Sequence, residues 1–199
     1  MPGQRPWRRE GSPAGPGPRP GSRRPPAAVS SPCAQKYVDS QARMFAWANA
    51  WRSACWARLK DADKAYRLIA TNLRPSTGGG NGTAFNLFDI HEVEQGRGIF
   101  QIDANLGTPV AMIEMLVQSR PGHVELLPAL PPAWADEGRV RGVGVRGGFV
   151  LDLRRRHGRP TEATLHSVGG RTTTVSYAGT ARSARLAPGD SATLRDLAP

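Results

Sequence analysis

Hydrophobic positions change their spacing along this chain, and the changes divide it. Between Lys36 and Leu59 the apolar residues are dense: Trp47, Trp51 and Cys55 recur every four residues, with Phe45, Trp56 and Leu59 on another side. That spacing predicts a helix over 36–59, apolar on most faces, with the Trp47–Trp51–Cys55 line in a core. Asp61 then suits an N-cap for a second helix over 62–73, with Ala65, Tyr66, Leu68, Ile69 and Leu73 as its buried face. Two helices joined by so short a turn make a helical hairpin. Thr108-Pro109 reads as the cap and first position of a third helix running to about Ser119, with Val110, Ile113, Leu116 and Val117 inward. After Gly122 the segment from Val124 to Leu130 leads out as a strand. From Arg139 the period falls to two: Val140, Val143 and Val145 precede Gly147-Gly148, then Phe149, Leu151 and Leu153 alternate. Short strands follow near 161–167, 171–178, 181–187 and 191–195, with His157-Gly158 and Gly169-Gly170 as hairpin-turn signals. The pattern is α+β: helices first, then a small antiparallel β-sandwich-like domain.

Between the second and third helices lies a stretch of another kind, Ala84 to Gly107. Asp89, His91, Glu92, Glu94, Gln101, Asp103 and Asn105 interleave there with Phe85, Leu87, Phe88, Ile90, Ile99, Phe100 and Ile102. The alternation predicts two short extended pieces around a Gln95–Gly98 hinge, each anchored on one side and polar on the other. Sites are commonly built on such loops, although Asp103 or Asn105 would equally serve to cap the helix that follows.

Composition changes the picture at the N-terminus. Of the 18 prolines in 199 residues, nine fall in residues 1–32, with six arginines and one glutamate. So few apolar residues there do not repay the entropy of ordering, and 1–35 reads as a disordered tail. The domains expected are therefore the tail 1–35, a helical part 36–121 and a β domain 122–199.

The net charge of +11 suits a polyanion partner. The arginines, however, have no aromatic interleaving and no nucleic-acid-binding motif accompanies them, so no nucleic-acid partner is assigned. Cys33 and Cys55 are too few for a disulfide framework or a metal quartet. His91-Glu92-x-Glu94 lacks the HExxH spacing of a zinc helix, so no metal and no cofactor are assigned. No run of 18 apolar residues would cross a membrane, and no apolar leader core precedes residue 30. The chain as written is placed in the cytoplasm; export would require a leader ahead of it.

The stretch NLFDIH (86–91) followed by FQIDANLG (100–107) resembles the C-terminal catalytic-domain motif of glycoside hydrolase family 95, the α-L-fucosidase family, which reads NLFDTHPPFQIDGNFG. Further resemblances keep the family's order. WANAWRSACWARL (47–59) is similar to its GWSLAWKINLWARL helix, EMLVQS (114–119) to EMLLQS, LLPALP (126–131) to the same six residues, and VGVRGGF (143–149) to RARGGF. The similarity spans roughly residues 40 to 175. It departs from the pattern between His91 and Phe100, where Glu92 to Ile99 replaces a short Pro-Pro link.

The resemblance implies an (α/α)6 barrel, of which this chain supplies the last helices, followed by a β domain. It implies inverting hydrolysis of terminal α-linked L-fucose, with a fucosylated oligosaccharide as substrate. The aspartate of the FQID segment corresponds to Asp103, the catalytic candidate; His91, Gln101 and Asn105 are candidates for contacting sugar hydroxyls. In the family a glutamic acid protonates the leaving oxygen, and asparagines polarised by an aspartate orient the water. Those groups lie upstream of NLFD, and Glu92, Glu94 and Glu114 do not occupy their positions. The expectation is thus a partial catalytic domain lacking its general acid, whose incomplete helical layer leaves apolar surface, notably the Trp47/Trp51 side, free to associate. The alternative is a non-catalytic carbohydrate-binding or structural module.

Overall fold

A computed structural model describes residues 46–73, 88–89, 99–195 and 197. The tail over 1–35, the start of the first expected helix, the Gln95–Gly98 hinge and His91 lie outside them.

Helix α1 (Ala46–Arg58) and helix α2 (Ala62–Asn72) form the hairpin. Two backbone bonds close α1, Lys60 N to Ala57 O and Asp61 N to Trp56 O, both 3.0 Å, with Lys60 at φ 64°. This is the Schellman arrangement, here with lysine where glycine is usual. Asp61 caps α2 as its sequence suggests: Oδ1 accepts from Lys64 N at 3.0 Å. Ala65 and Ile69 are buried, Tyr66 and Leu68 partly so, and Leu73 is exposed.

The tryptophan line is not in a core; the Trp47/Trp51 side is the exposed apolar face expected of an incomplete helical layer. Trp47 is 46% and Trp51 61% exposed, Cys55 is half-buried, and the indole in the core is Trp56. Alanines carry the contact instead: Ala46, Ala50 and Ala57 are buried on α1, and Ala104 and Ala111 on helix α3 (Ile102–Leu116). A methyl group built on Gly107 of α3 would come within 3.1 Å of Ala50 Cβ. Backbones that approach this closely leave no room between them for indoles.

Helix α3 also starts earlier than Thr108-Pro109 suggests, with Gln101 at its N-cap. Ala104, Thr108, Ala111 and Met115 are its buried residues, spaced by four, three and four. That stripe carries the helix through Pro109, although the proline has no N–H to give to Asn105 O. The far end is short by three residues. Val117 adopts extended angles and opens strand β3 (Val117–Arg120), which turns through Pro121-Gly122 into strand β4 (His123–Leu126). Ahead of α3, strands β1 (Phe88–Asp89) and β2 (Ile99–Phe100) pair antiparallel, Phe88 opposite Phe100. These are the two extended pieces of the polar stretch.

The remainder is strands: β5 (Glu137–Val145), β6 (Phe149–Arg156), β7 (Arg159–Ser167), β8 (Thr172–Tyr177), β9 (Thr180–Arg185) and β10 (Ser191–Arg195). One four-stranded sheet runs β10-β7-β6-β5 and is wholly antiparallel. The other runs β3-β4-β8-β9, antiparallel except where β4 and β8 pair parallel. Leu151, Leu153, Leu165 and Leu194 of the first sheet meet Val124, Leu126 and Val175 of the second in one core. His157 (φ 49°) and Gly158 (φ 73°) make a two-residue hairpin turn, as do Ala178 (φ 46°) and Gly179 (φ 85°).

Gly169-Gly170, in contrast, is no hairpin. It links β7 to β8 across the two sheets, and Gly170 sits where a side chain would strike Gly147 O and the Phe149 ring. The helices join this module through Met115, Ala129 and an edge-to-face pair, Tyr66 on Trp134, with ring centroids 5.6 Å apart.

Candidate active site

The polar stretch enters α3 at Gln101. Its φ of −135° and ψ of 61° keep it outside the helix, and its side chain makes no cap bond. The side chain is buried and turned back to α1, where Oε1 accepts from Trp47 N at 3.3 Å. Its backbone oxygen accepts from Ala104 N at 3.1 Å and from Asn105 Nδ2 at 3.2 Å. Gln101 and Asn105 therefore fix the first turn of α3. Among the described residues their amide groups make bonds that hold the fold together.

Beneath that turn lies a buried polar cluster. Asn72, the last residue of α2, donates through Nδ2 to Ala46 O at 2.9 Å and to Thr108 Oγ1 at 3.1 Å. Thr108 in turn donates to Ala104 O at 2.8 Å. One end of α2, the start of α1 and the first two turns of α3 are thereby locked together, in a setting where each unmade bond would cost about 1–3 kcal/mol.

Asp103 stands on this base. It lies in the first turn of α3, is exposed, and makes no hydrogen bond or ion pair among the described residues. Neither Asp103 nor Asn105 is the N-cap. The unsatisfied N–H groups and the dipole at a helix N-terminus attract negative charge. A rigid turn carrying a free charge is what an electrostatic role needs: the charge is held in place before substrate arrives.

The second carboxylate that glycoside hydrolysis requires is not beside it among the described residues. Glu114, on the same helix, is engaged by Arg58, with Nε at 2.6 Å from Oε2 and Nη2 at 2.7 Å from Oε1. The structure thus brings Gln101, Asp103 and Asn105 into one helical turn, whereas His91 lies outside the described residues.

Residues 27–116 match the family model described as the Glycosyl hydrolase family 95 catalytic domain, and residues 118–193 that of the Glycoside hydrolase family 95, C-terminal domain. The chain belongs to glycoside hydrolase family 95. The α-L-fucosidase 2 of Arabidopsis thaliana is 36% identical over 151 residues, covering 72% of this chain and 17% of that protein. The probable α-fucosidase A of Aspergillus oryzae is 37% identical over 117 residues, covering 54% of this chain and 15% of its own length. That of Aspergillus niger is 36% identical over 118 residues, with 54% and 14% covered. This family 95 chain therefore spans about a sixth of the length of the curated relatives it matches. The Gln101–Asn105 turn falls within the catalytic-domain match, and both sheets fall almost wholly within the C-terminal-domain match.

The β module holds polar groups that the sequence did not single out. His166 Nδ1 is 2.8 Å from Ser191 Oγ, and His166 Nε2 is 3.3 Å from Asp152 Oδ2. Burial alone would raise the Asp152 carboxyl, but the Gly142 N–H, His166 and Arg141 outweigh it and hold it below its ordinary value. A Ser-His-Asp line invites comparison with nucleophilic enzymes. Here it lies across an open sheet, and the Ala187, Gly189 and Asp190 N–H groups near Ser191 are already bonded, to Asp190 Oδ2, Ser167 O and Ala187 O. Nothing among the described residues would stabilise an oxyanion there. The only sequence signal for this line was period-two register, which places residues 152, 166 and 191 on one face.

Proposed function

We propose that this chain forms the C-terminal part of an inverting α-L-fucosidase-type catalytic unit, with Asp103 as its contribution to the reaction. The observation that carries the reading is the exposed Asp103 carboxylate at the head of α3, on a turn held by buried bonds inside the catalytic-domain match. In this reading Asp103 accepts a hydrogen bond from an asparagine amide supplied by the upstream part of the unit. The charge makes the amide oxygen a better acceptor, and the amide then orients and polarises the attacking water. The acid that protonates the leaving oxygen also comes from upstream, because Glu114 is bound to Arg58. Inverting enzymes hold the two groups about 6.5–9.5 Å apart with the water between them, so the second group must come from a neighbouring helical hairpin. Three helices are the last of such a barrel, and the substrate is a terminal α-linked fucoside.

The test is fucose release from a terminal α-1,2-fucosylated oligosaccharide, by the chain alone and by the chain mixed with the upstream segment of a family relative. The chain alone gives no turnover. The mixture turns over, and Asp103→Asn lowers its kcat by about 10²–10⁴-fold, the range typical of groups that activate a proton transfer. Release by the chain alone, unchanged by Asp103→Asn, would sink the reading.

A further inference from the structure

The outer face of the β10-β7-β6-β5 sheet carries more arginines than acids. Register places Arg139 directly opposite Arg154, and Glu137 opposite Arg156. Directly opposed like charges in a sheet destabilise the pair. Glu162 stands opposite Arg154 on β7 but bonds Arg195 Nε at 3.1 Å, and Asp152 bonds Gly142 N at 2.8 Å and His166. Among the described residues Arg139, Arg154 and Arg156 form no ion pair or hydrogen bond through their side chains. Two adjoining hollows open on these groups. One, of about 460 Å³, is lined by Glu137, Arg139, Arg154, Arg155, Arg156 and Thr161; a second, of about 130 Å³, shares Arg139 and Arg154 and is lined also by Arg141, Asp152, Glu162 and Thr164. Arg155 lies over Gly138, and its Nη1 is buried without a hydrogen-bond partner.

We propose that this trough is a binding site for an acidic oligosaccharide, with sugar carboxylates seated between Arg139 and Arg154 and beside Arg156. A carboxylate between two opposed guanidinium groups removes their repulsion and accepts charge-assisted, bidentate bonds. The trough is lined by no aromatic residue, so it offers bases nothing to stack on. Glu137 interrupts the basic track that a run of phosphates would follow. A chain bearing one carboxylate per ring and hydroxyls elsewhere suits a mixture of guanidinium groups, the Glu137, Asp152 and Glu162 carboxylates and the Thr161 and Thr164 hydroxyls. The choice of sugar as carrier rests on the proposed glycan substrate. The trough lies on the β module, away from Asp103, so binding there and fucose release fail separately.

The experiment is calorimetric titration of the full chain with tetragalacturonate, its fully methyl-esterified form and a tetranucleotide single strand, each over a salt series. The native chain binds tetragalacturonate, more weakly as salt rises, and does not bind the neutral ester. Arg139→Gln/Arg154→Gln binds about tenfold or more weakly. Arg185→Gln, on exposed β9, binds as the native chain does. Relieving the opposed pair should leave the double variant unfolding thermally at or above the native temperature, so its loss is not misfolding. Equal binding of the ester, an undiminished double variant, an equal loss in Arg185→Gln, or tighter binding of the single strand would each overturn the proposal.

Discussion

Asn72 and Asp103 lie at the same end of the helical layer and answer to different demands. Asn72 is buried and donates to both neighbouring helices, at Ala46 O and Thr108 Oγ1. Asn72→Ala leaves Ala46 O without that donor and should cost about 1–3 kcal/mol, read as a lower urea midpoint at unchanged slope. Asp103 is exposed and makes no bond among the described residues, so Asp103→Asn loses only its interaction with the helix dipole, about 0.3–1 kcal/mol in the same measurement. A loss of stability at Asp103 as large as that at Asn72 would make it a structural residue and remove the reason to assign it chemistry. Gly170 poses a third demand. A methyl group there meets Gly147 O, which is backbone and cannot swing aside, and the Phe149 ring. Gly170→Ala should destabilise the β module by at least the 1–3 kcal/mol or so typical of overpacking, seen as an early loss of strand signal on heating.

At the scale of elements, the first sheet binds some of its strands together through side chains on its outer face, and this makes part of its stability depend on pH. Asp152 joins β6 to the bulged part of β5 through Gly142 N, and to β7 through His166. Its carboxyl is held below the ordinary value, so its contribution is present above the unfolded value and is lost as pH falls through the folded one. The melting temperatures of the native chain and Asp152→Asn should therefore differ most near neutrality and converge below about pH 4, the usual carboxylate range. A gap that persists in acid would mean that the charge is not what Asp152 supplies. Register of this kind was legible in the sequence because Val140, Leu151, Leu153 and Leu165 alternate with polar residues. The Asp61 cap was legible from its position ahead of an apolar period. Periodicity did not reveal which apolar face of α1 is covered, since that depends on alanines and Gly107 allowing a close approach. Nor did it show α3 running through Pro109: Thr108-Pro109 suits a helix start, and only the burial of Ala104 shows that the helix has begun. The candidate site was legible as a motif through Asp103. The support under it, Gln101 turned back to Trp47 N, depends on a contact 54 residues away in sequence.

At the scale of the molecule, one side of the helical layer is unfinished. Trp47 and Trp51 on α1 are exposed, as are Ile102, Leu106 and Val110 on α3 at four-residue steps, with Leu106 at 65%. A surface helix normally turns such a stripe inward, and contiguous apolar patches on a monomer mark places where something else packs. The match covers 17% of the Arabidopsis relative, and the helices fall within the catalytic-domain match. On the proposed reading the covering surface is a set of neighbouring helical hairpins, and this chain by itself should cover the stripe with other copies of itself. Light scattering at micromolar concentration should give a mass above the 21.4 kDa of one chain. Trp47→Ser/Trp51→Ser with Leu106→Ser/Val110→Ser should bring it down toward that value. These positions already face solvent, so the substitutions remove little that the core uses, and a folded monomer is the expected product. The same variant should fail to recover fucose release with the upstream segment even though Asp103 is intact, because the stripe that aggregates the lone chain is the surface that completes the barrel. If the variant self-associates less yet complements as well as the native chain, the stripe is not where the two parts meet, and Asp103 receives its partner from another side.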